Sequence, residues 1–556
     1  MEASLGEYRE MVDAALAEMR EQHIPRRVWE RDHTVWNPEP TEIKNRLGWL
    51  DIAERIIADI PEIDALFDEM RRRRYTHAVL LGMGGSSLAP QVFRQTFGVA
   101  KGGLDLSVLD STDPGAVLAM AERHDPRKTL FIVSTKSGGT VETLSFFKYF
   151  YRRTVNAVDA EHAGDHFIAI TDPGSSLVKL AKKHKFLKTF ENDPNIGGRY
   201  SALSFFGLVP ARLVGVDLGA LLQRALTTSA SCRDDRTSPA VRLGTIMGEL
   251  TKAGRDKLTL ICSPAIASFG NWVEQLIAES TGKNGTGILP VVGEEPADAS
   301  AYGDDRLFVH LHLTDDSRYD KPVQVLRDAG HPVVHLRMND LDDLGGQFFL
   351  WEMATAIAGH RLGIHPFDQP NVESAKVRAR EMVDAYQKRG KLPELEPSLE
   401  AKGIRVYAEQ KAKGLPDVLK SFLNKRERGA YIAVQAYLQP SDTIDAALNA
   451  FRLKLREHTG LATTVGYGPR FLHSTGQLHK GDAGNGLFIQ LTNDKVTDTD
   501  IPDDPKSDKS SMSFGVLIAA QALGDRQALL DARRAVIRFH LGKDAASGIA
   551  TLADAL

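Results

Sequence analysis

"HAVLLGMGGSSLAP", residues 77–90, runs from a short apolar segment into a turn of small residues and then into "QVFRQTFG", which reads as a helix. A strand, a small-residue turn and a helix bring exposed backbone N–H groups to one point, and that point favours an anion. Gly82, Gly84, Gly85, Ser86 and Ser87 make the turn. No Gly-Lys-Ser/Thr closes it, so it is not a P-loop. A dinucleotide fingerprint is a fairer rival: Gly82 and Gly84 match its first two glycines, and Asp110 ends the next apolar run, where a ribose-binding acid would stand. Ser87 replaces the third glycine, and tight-turn packing alone would also explain the loop.

The same rhythm continues outward. "HAVLLG", "LDLSVLD", "TLFIVST", "HFIAIT" and "FLKTF" are short apolar runs separated by segments long enough for helices, the pattern of a doubly wound parallel sheet over residues 75–225. "KLTLICS", "GILPVV", "RLFVHLHL" and "HPVVHLRM", closed by a long helix at 344–359, predict a second α/β unit over 226–385. A polar, helical region precedes the first unit at 1–74. Two such units offer a cleft between them.

Beyond residue 385 the character changes. Residues 386–429, with "KRGKLPELEPSLEAKG", read as a linker with helical character, and 430–556 show a β-α-β-β-α-β order that predicts an α+β domain of ferredoxin-like type. Within it, "DTDIPDDPKSDKSSMS" is charged and poor in apolar residues, so a mobile loop is expected there.

Bulk properties narrow the function classes. A chain of 556 residues is too long for one core. Its net charge of -4 shows no positive excess that would suggest a nucleic acid or an anionic membrane. The N-terminus lacks the apolar core of a secretory signal, and no window approaches the roughly 18 apolar residues of a membrane helix. Cys232 and Cys262 are too few and too far apart for a disulfide framework or a metal knuckle. A cytoplasmic protein needing no metal is the expectation.

A second loop adds chemistry. "FIVSTKSGGTVET" places Ser134, Thr135, Lys136, Ser137 and Thr140 between an apolar run and a helix, where hydroxyls, amides and a lysine could surround one small dianion. Such a pair of loops suits a sugar phosphate better than an extended dinucleotide, although hydroxyls also cap helices. "NIGGRYSALSFFGLVP" offers Arg199 beside a glycine pair, "NWVEQLIAESTGKNG" offers Glu274, Gln275 and Glu279, and "HPFDQPNVESAKVRAREM" offers Gln369, Glu373 and Lys376. On a helix, Gln275 and Glu279 share a face. Any one of these alone reads equally as a solvated charge or a cap; together they point to a site.

At "GMGGSSLAP", "STKSGGTVET", "GGRYSALSFFGLVP", "ESTGKNG" and "PFDQPNVESAK", spanning about residues 75–385, the chain resembles the glucose-6-phosphate isomerase (phosphoglucose isomerase) family, built from two sugar-isomerase (SIS) domains. The stretch after 430, including "GYGPRFLHSTGQLHKGD", resembles the C-terminal part of bacterial fusions of transaldolase with this isomerase. The resemblance implies aldose–ketose isomerisation of glucose 6-phosphate and fructose 6-phosphate through an enediol(ate), with no cofactor. It implies that Gly85, Ser86, Thr135, Lys136, Ser137 and Thr140 hold the phosphate. Glu279 would be the acid/base between C1 and C2, Arg199 the stabiliser of the intermediate, Lys376 a helper in ring opening, and Gln275 and Gln369 would line the sugar. A homodimer and a separate transaldolase are the protein partners it suggests.

One departure stands out. Familiar members carry a ring-opening histidine after the base, whereas "GEEPADASAYGDDRLF" holds none. His473 and His479, flanking a glycine-bearing loop, are the candidate substitutes; His310 and His312 alternate with apolar residues and read as structural. Two other functions compete: a non-catalytic sugar-phosphate sensor, which would have no chemical reason to keep Glu279, Arg199 and Lys376 together, and an NAD-dependent dehydrogenase resting on the glycines and Asp110.

Overall fold

In the strand His77–Gly82 every residue after His77 is buried, as a central parallel strand covered on both faces requires. A computed structural model, describing residues 1–234, 237–409 and 411–556, places this strand inside a five-stranded sheet. The order is Asp105–Leu109, His77–Gly82, Thr129–Ser134, Phe167–Thr171 and Lys188–Glu191, with every neighbouring pair parallel. Leu80, Ile132 and Ile168 face the largest core of the protein, while Val79, Leu81, Phe131 and Val133 pack against Phe146, Phe147 and Phe150 of the helix Val141–Val158. Gly82 is in register with Ser134, so the loops at their C-terminal ends leave the sheet side by side.

The second sheet runs Glu2–Ser4, Val333–Met338, Arg306–Leu313, Lys257–Cys262 and Leu289–Val291. The last four strands are parallel; the first, from the chain start, adds antiparallel at the edge. The N-terminal region is thus not merely helical. Three residues cannot show a periodicity, which is why pattern reading passes over this strand. The helix Leu344–Arg361, buried along nearly its whole length, packs on the helices Leu218–Ser231 and Pro239–Lys252.

The C-terminal region departs from expectation. Its third sheet has the order Leu399–Ala401, Ile404–Tyr407, Ala535–His540, Gly486–Thr492, Tyr431–Tyr437 and Ala462–Tyr467. Tyr431–Tyr437 pairs in parallel with both Ala462–Tyr467 and Gly486–Thr492, and the latter in parallel with Ala535–His540. A ferredoxin-like sheet is antiparallel, whereas the four strands of this sheet from residue 431 onward are parallel, so the unit is a third α/β layer with a mixed sheet. The connection between 467 and 486 decides this: it carries the helix Gly476–Gly481 and acts as a crossover, not a hairpin turn.

Two more expectations are corrected. Residues 386–429 are no linker, because Leu399–Ala401 and Ile404–Tyr407 add antiparallel to the third sheet and Leu415–Leu423 packs in its core. "DTDIPDDPKSDKSSMS" forms an antiparallel pair, Asp500–Pro502 with Ser510–Ser513, and its buried Ile501 joins Phe146 and Phe514. The third unit lies against the first two: the helix Phe514–Asp531 packs along Val372–Arg389, and Gly476–Gly481 packs on Phe269–Thr281. Among the described residues no helix is long and apolar enough to cross a membrane.

Candidate active site

The glycine loop is shaped by close approach. Gly84 has φ +55°, a conformation in which a side chain is strained, and a Cβ on Gly85 would lie 2.1 Å from the carbonyl oxygen of Gly198. The loop therefore rests directly on the turn that carries Arg199. Ser86 is buried, and its carbonyl accepts a hydrogen bond from Ser134 Oγ at 3.3 Å. In the neighbouring loop the Thr135 and Thr140 hydroxyls bond each other at 2.8 Å, Gly138 has φ +74°, and Ser137 Oγ accepts from the Gly139 N–H at 3.3 Å. The Lys136 ammonium is engaged elsewhere, paired with Asp172 and donating to the Pro194 carbonyl at 3.0 Å.

Asp110, the acid on which the dinucleotide reading leans, accepts from Ser87 Oγ at 3.4 Å and faces Arg470 Nε at 3.4 Å. An arginine placed there takes up the carboxylate that would bind a ribose.

Opposite the loops, the helix Phe269–Thr281 holds Gln275 and Glu279 one turn apart. Gln275 Nε2 donates to Glu279 Oε2 at 3.0 Å and to the His473 carbonyl at 2.7 Å. Arg199 is buried, and its guanidinium is committed on every side. Nε donates to Ser280 Oγ at 2.7 Å, Nη1 to Gln369 Oε1 at 3.0 Å, and Nη2 to the carbonyls of Pro366 and Asp368 at 2.7 and 3.0 Å. Nη1 also stands 3.1 Å from Glu279 Oε1. Such a planar fork is held in one orientation before any ligand arrives.

Lys283, within "ESTGKNG", is buried behind this group, a place its motif does not signal. It donates to the Asp368 carbonyl at 2.6 Å and to Asp368 Oδ1 at 2.7 Å. Burial, reinforced by the Arg199 charge, pulls its ammonium down to about 8.

A cavity of about 650 Å³ is lined among others by Ser137, Thr140, Glu142, Lys376, His473 and Gln521; Arg199, Gln275, Glu279 and Gln369 are not in its wall. Lys376, half-exposed on the helix Val372–Arg389, sits 3.6 Å from Glu373. Glu279, Arg199, Gln275 and Gln369 thus form one contact group, while Lys376 shares the cavity with the hydroxyl loop and His473. Gln275 joins the two through its bond to His473.

The two C-terminal histidines separate cleanly. His473 lies against Gly84, whose Cβ would meet its carbonyl oxygen at 2.7 Å, and its Nε2 stands 3.1 Å from Glu142 Oε1. Glu142 also accepts from Gln521 Nε2 at 2.7 Å, and Gln521 Oε1 accepts from Thr112 Oγ1 at 2.7 Å. Burial alone would raise the Glu142 carboxyl, but the charge and hydrogen bond of His473 hold it below its ordinary value. Glu142 and Gln521 were not legible as site residues, since "TVET" and an apolar helix give no such signal.

His479 is elsewhere. Its ring is packed near Phe471 and Phe488, with centroids 5.9 and 5.0 Å away, and burial drives its pKa well below the ordinary value. Its Nδ1 faces Gln435 Nε2 at 3.4 Å inside the third unit. The expectation that it joins the site fails because the helix Gly476–Gly481 turns it into that core. Glu274 is likewise turned away from Glu279, toward a small gap it shares with Gln435 and His479. Its residue is only part-buried, but its carboxyl is enclosed, and burial pushes it up to about 7.

Two mostly parallel sheets, small-residue loops at adjacent strand ends and a carboxylate–arginine pair beside the first of them define a two-sheet α/β body with a polar cleft. Its fold matches the crystal structure of a glucose-6-phosphate isomerase from Chlamydia trachomatis with a TM-score of 0.55 at 18% identity, covering 68% of this chain and 86% of that one. Residues 67–284 match the family model described as Phosphoglucose isomerase. The chain is 28% identical over 380 residues to the glucose-6-phosphate isomerase of Rubrobacter xylanophilus, covering 59% of this chain and 84% of the relative. It is 27% identical over 390 residues to that of Thermus thermophilus, covering 61% and 90%. Over these spans the chain is similar to phosphoglucose isomerases.

Proposed function

We propose that the protein interconverts glucose 6-phosphate and fructose 6-phosphate, the isomerase step of glycolysis and gluconeogenesis, by moving one proton between C1 and C2. The observation that carries this reading is the Arg199–Glu279 pair, fixed at 3.1 Å beside two hydroxyl-bearing loops, in a chain similar to phosphoglucose isomerases.

The assigned roles follow the chemistry. Gly85 and Ser86 with the Thr135, Ser137 and Thr140 loop hold the phosphate, remote from the reacting carbons, and so orient them without taking part. Glu279 removes the C2 proton of the open-chain aldose and, once the O2 hydroxyl proton has passed to O1 in the enediol(ate), returns the abstracted proton to C1, leaving a ketose. Arg199 stabilises the enediolate oxygen, at no cost in reorganisation because its other N–H groups are already fixed. Gln275 and Gln369 line the sugar.

For the ring-opening step, Lys376 and His473 are the groups at the cavity able to exchange a proton with the ring oxygen, and Glu142 orients the His473 imidazole. Lys136, held by Asp172, contributes charge to the phosphate loop from behind instead of contacting the phosphate. The partner is a small sugar phosphate, the working compartment is the cytoplasm, and a homodimer and a separate transaldolase are the protein partners to look for by sedimentation and co-purification.

The test is a coupled assay for conversion of fructose 6-phosphate to glucose 6-phosphate by the purified chain, with Glu279→Gln as control. Turnover that vanishes in the variant supports both the reaction and its base. Tight sugar-phosphate binding with no turnover in the wild type would overturn it.

A further inference from the structure

Three histidines meet in the second sheet, on the side away from Glu279. His310 and His312 lie two apart on the strand Arg306–Leu313 and so face the same way, and His335 on Val333–Met338 is in direct register with His310. The intervening Val309 and Leu311 point to the opposite face, into the core shared with Phe269, Trp272 and Leu276 of the helix that carries Glu279. The cluster therefore shares no wall with the cavity of the proposed site.

Its geometry is that of a ligand set. One ring nitrogen from each histidine can be chosen so that all three lie within 4.8 Å of one another. Tetrahedral zinc bonds of about 2.0–2.1 Å place neighbouring nitrogens roughly 3.3 Å apart, within reach of modest side-chain rotation. The rings of His310 and His312 are stacked, centroids 4.5 Å apart and 10° from parallel.

His310 is the telling member. It is 1% exposed, and among the described residues neither Nδ1 nor Nε2 has a hydrogen-bond partner. Nδ1 of His312 also lacks one. Buried polar atoms are almost always satisfied, and an imidazole with both nitrogens free inside a sheet calls for an explanation. His312 and His335 are only part-buried, which leaves an approach from solvent.

The surroundings suit a cation. The Asp316 charge acts on His310 and those of Glu2 and Asp320 on His335, with Glu2 in register with His335 on the edge strand, against the opposing charge of Arg327. The nearby Arg337 is engaged, donating from Nε to Thr314 Oγ1 at 3.0 Å. Three imidazoles without a thiolate favour a borderline divalent ion such as zinc over magnesium or calcium, which take oxygen ligands.

We propose that His310, His312 and His335 bind one divalent ion of the zinc type, with solvent in the fourth position, and that the ion fastens the strand Val333–Met338 to Arg306–Leu313. The inference does not depend on the isomerase reading.

The experiment uses the full chain without a histidine tag, stripped with chelator and dialysed against ZnCl2. One zinc per chain is expected, along with a rise in Tm on adding zinc, because the ion binds the folded form preferentially. Co2+ should give the visible absorption of tetrahedral nitrogen coordination. The part-buried pair His312→Gln/His335→Gln, checked for folding by circular dichroism, should weaken zinc binding at least tenfold and abolish both the Tm rise and the cobalt spectrum. No stoichiometric zinc in the wild type, or equal binding by the folded double variant, would overturn the site.

Discussion

Arg199 Nη1 lies 3.1 Å from Glu279 Oε1, and neither partner is free to drift: the arginine is bonded to Ser280, Gln369, Pro366 and Asp368, and the carboxylate to Gln275. A base and an electrophile held this way are oriented before substrate binds. The contact also ties the first α/β unit to the second.

Replacing Glu279 by Gln keeps the shape and the bond to Gln275 while removing the proton acceptor. Turnover should fall by about 10²–10⁴-fold, with substrate binding retained. Steady-state kinetics with calorimetric binding checks this; a variant of undiminished kcat would place the base elsewhere.

Arg199→Lys keeps the charge and loses the fork. A lysine cannot serve Ser280, Gln369 and two carbonyls at once, so kcat should drop by roughly 10²–10³-fold, as for loss of a preorganised oxyanion partner. The fall should appear in kcat more than in KM. The reverse split would make Arg199 a binding residue.

His473→Asn should slow the cyclic sugar more than an open-chain analogue, whereas His479→Asn should lower stability and treat both substrates alike. The difference follows from position, one ring at the cavity and the other in the core of the third unit. Equal effects of His473→Asn on the two substrates would remove it from ring opening.

Gly85→Ala tests the contact between the glycine loop and the Arg199 turn. The new methyl would sit 2.1 Å from the Gly198 carbonyl oxygen, so the two segments must separate. A loss of about 1–3 kcal/mol in urea unfolding, with a raised KM, is expected. An unchanged KM would mean that the glycine loop can shift without touching substrate.

Glu274 gives a pH signature. Its carboxyl, at about 7 in the folded chain against an ordinary 4.5, holds its proton more tightly folded than unfolded. Its contribution is therefore fully present below about 4.5 and is lost as pH rises through 7. Glu274→Gln should be more stable than wild type at pH 8 by about 1–2 kcal/mol, with the difference closing toward pH 5. Denaturation at the two pH values reads it out.

Much of this was legible in the sequence because the signals were continuous. Apolar runs such as "TLFIVS" marked buried parallel strands, and the motifs around Ser86, Thr135, Arg199, Glu279 and Gln369 named residues that the fold gathers from distant segments. What failed was relational. The element order after 430 was visible, but whether Ala462–Tyr467 and Gly486–Thr492 flank Tyr431–Tyr437 in parallel depends on a crossover that leaves no periodic trace.

Side-chain destination was equally hidden. Lys136 stands in a hydroxyl-rich loop yet is claimed by Asp172, and His473 and His479, six positions apart, end in different environments. The two cysteines argued against a metal, but the cluster of His310, His312 and His335 arises only when strands separated in sequence come into register.

His473 reaches from the third unit to Gly84 of the first, and that reach bears on how such a chain can evolve. A seam between residues 385 and 430 looks like a place where genes could be cut, shuffled or fused, yet a recombinant without the C-terminal third would inherit both sheets with an open wall in the cleft. Within this chain, substitutions around His473, Leu472 or Gln521 therefore remodel a cleft whose opposite wall belongs to another unit, so the C-terminal region cannot change there without altering the cleft.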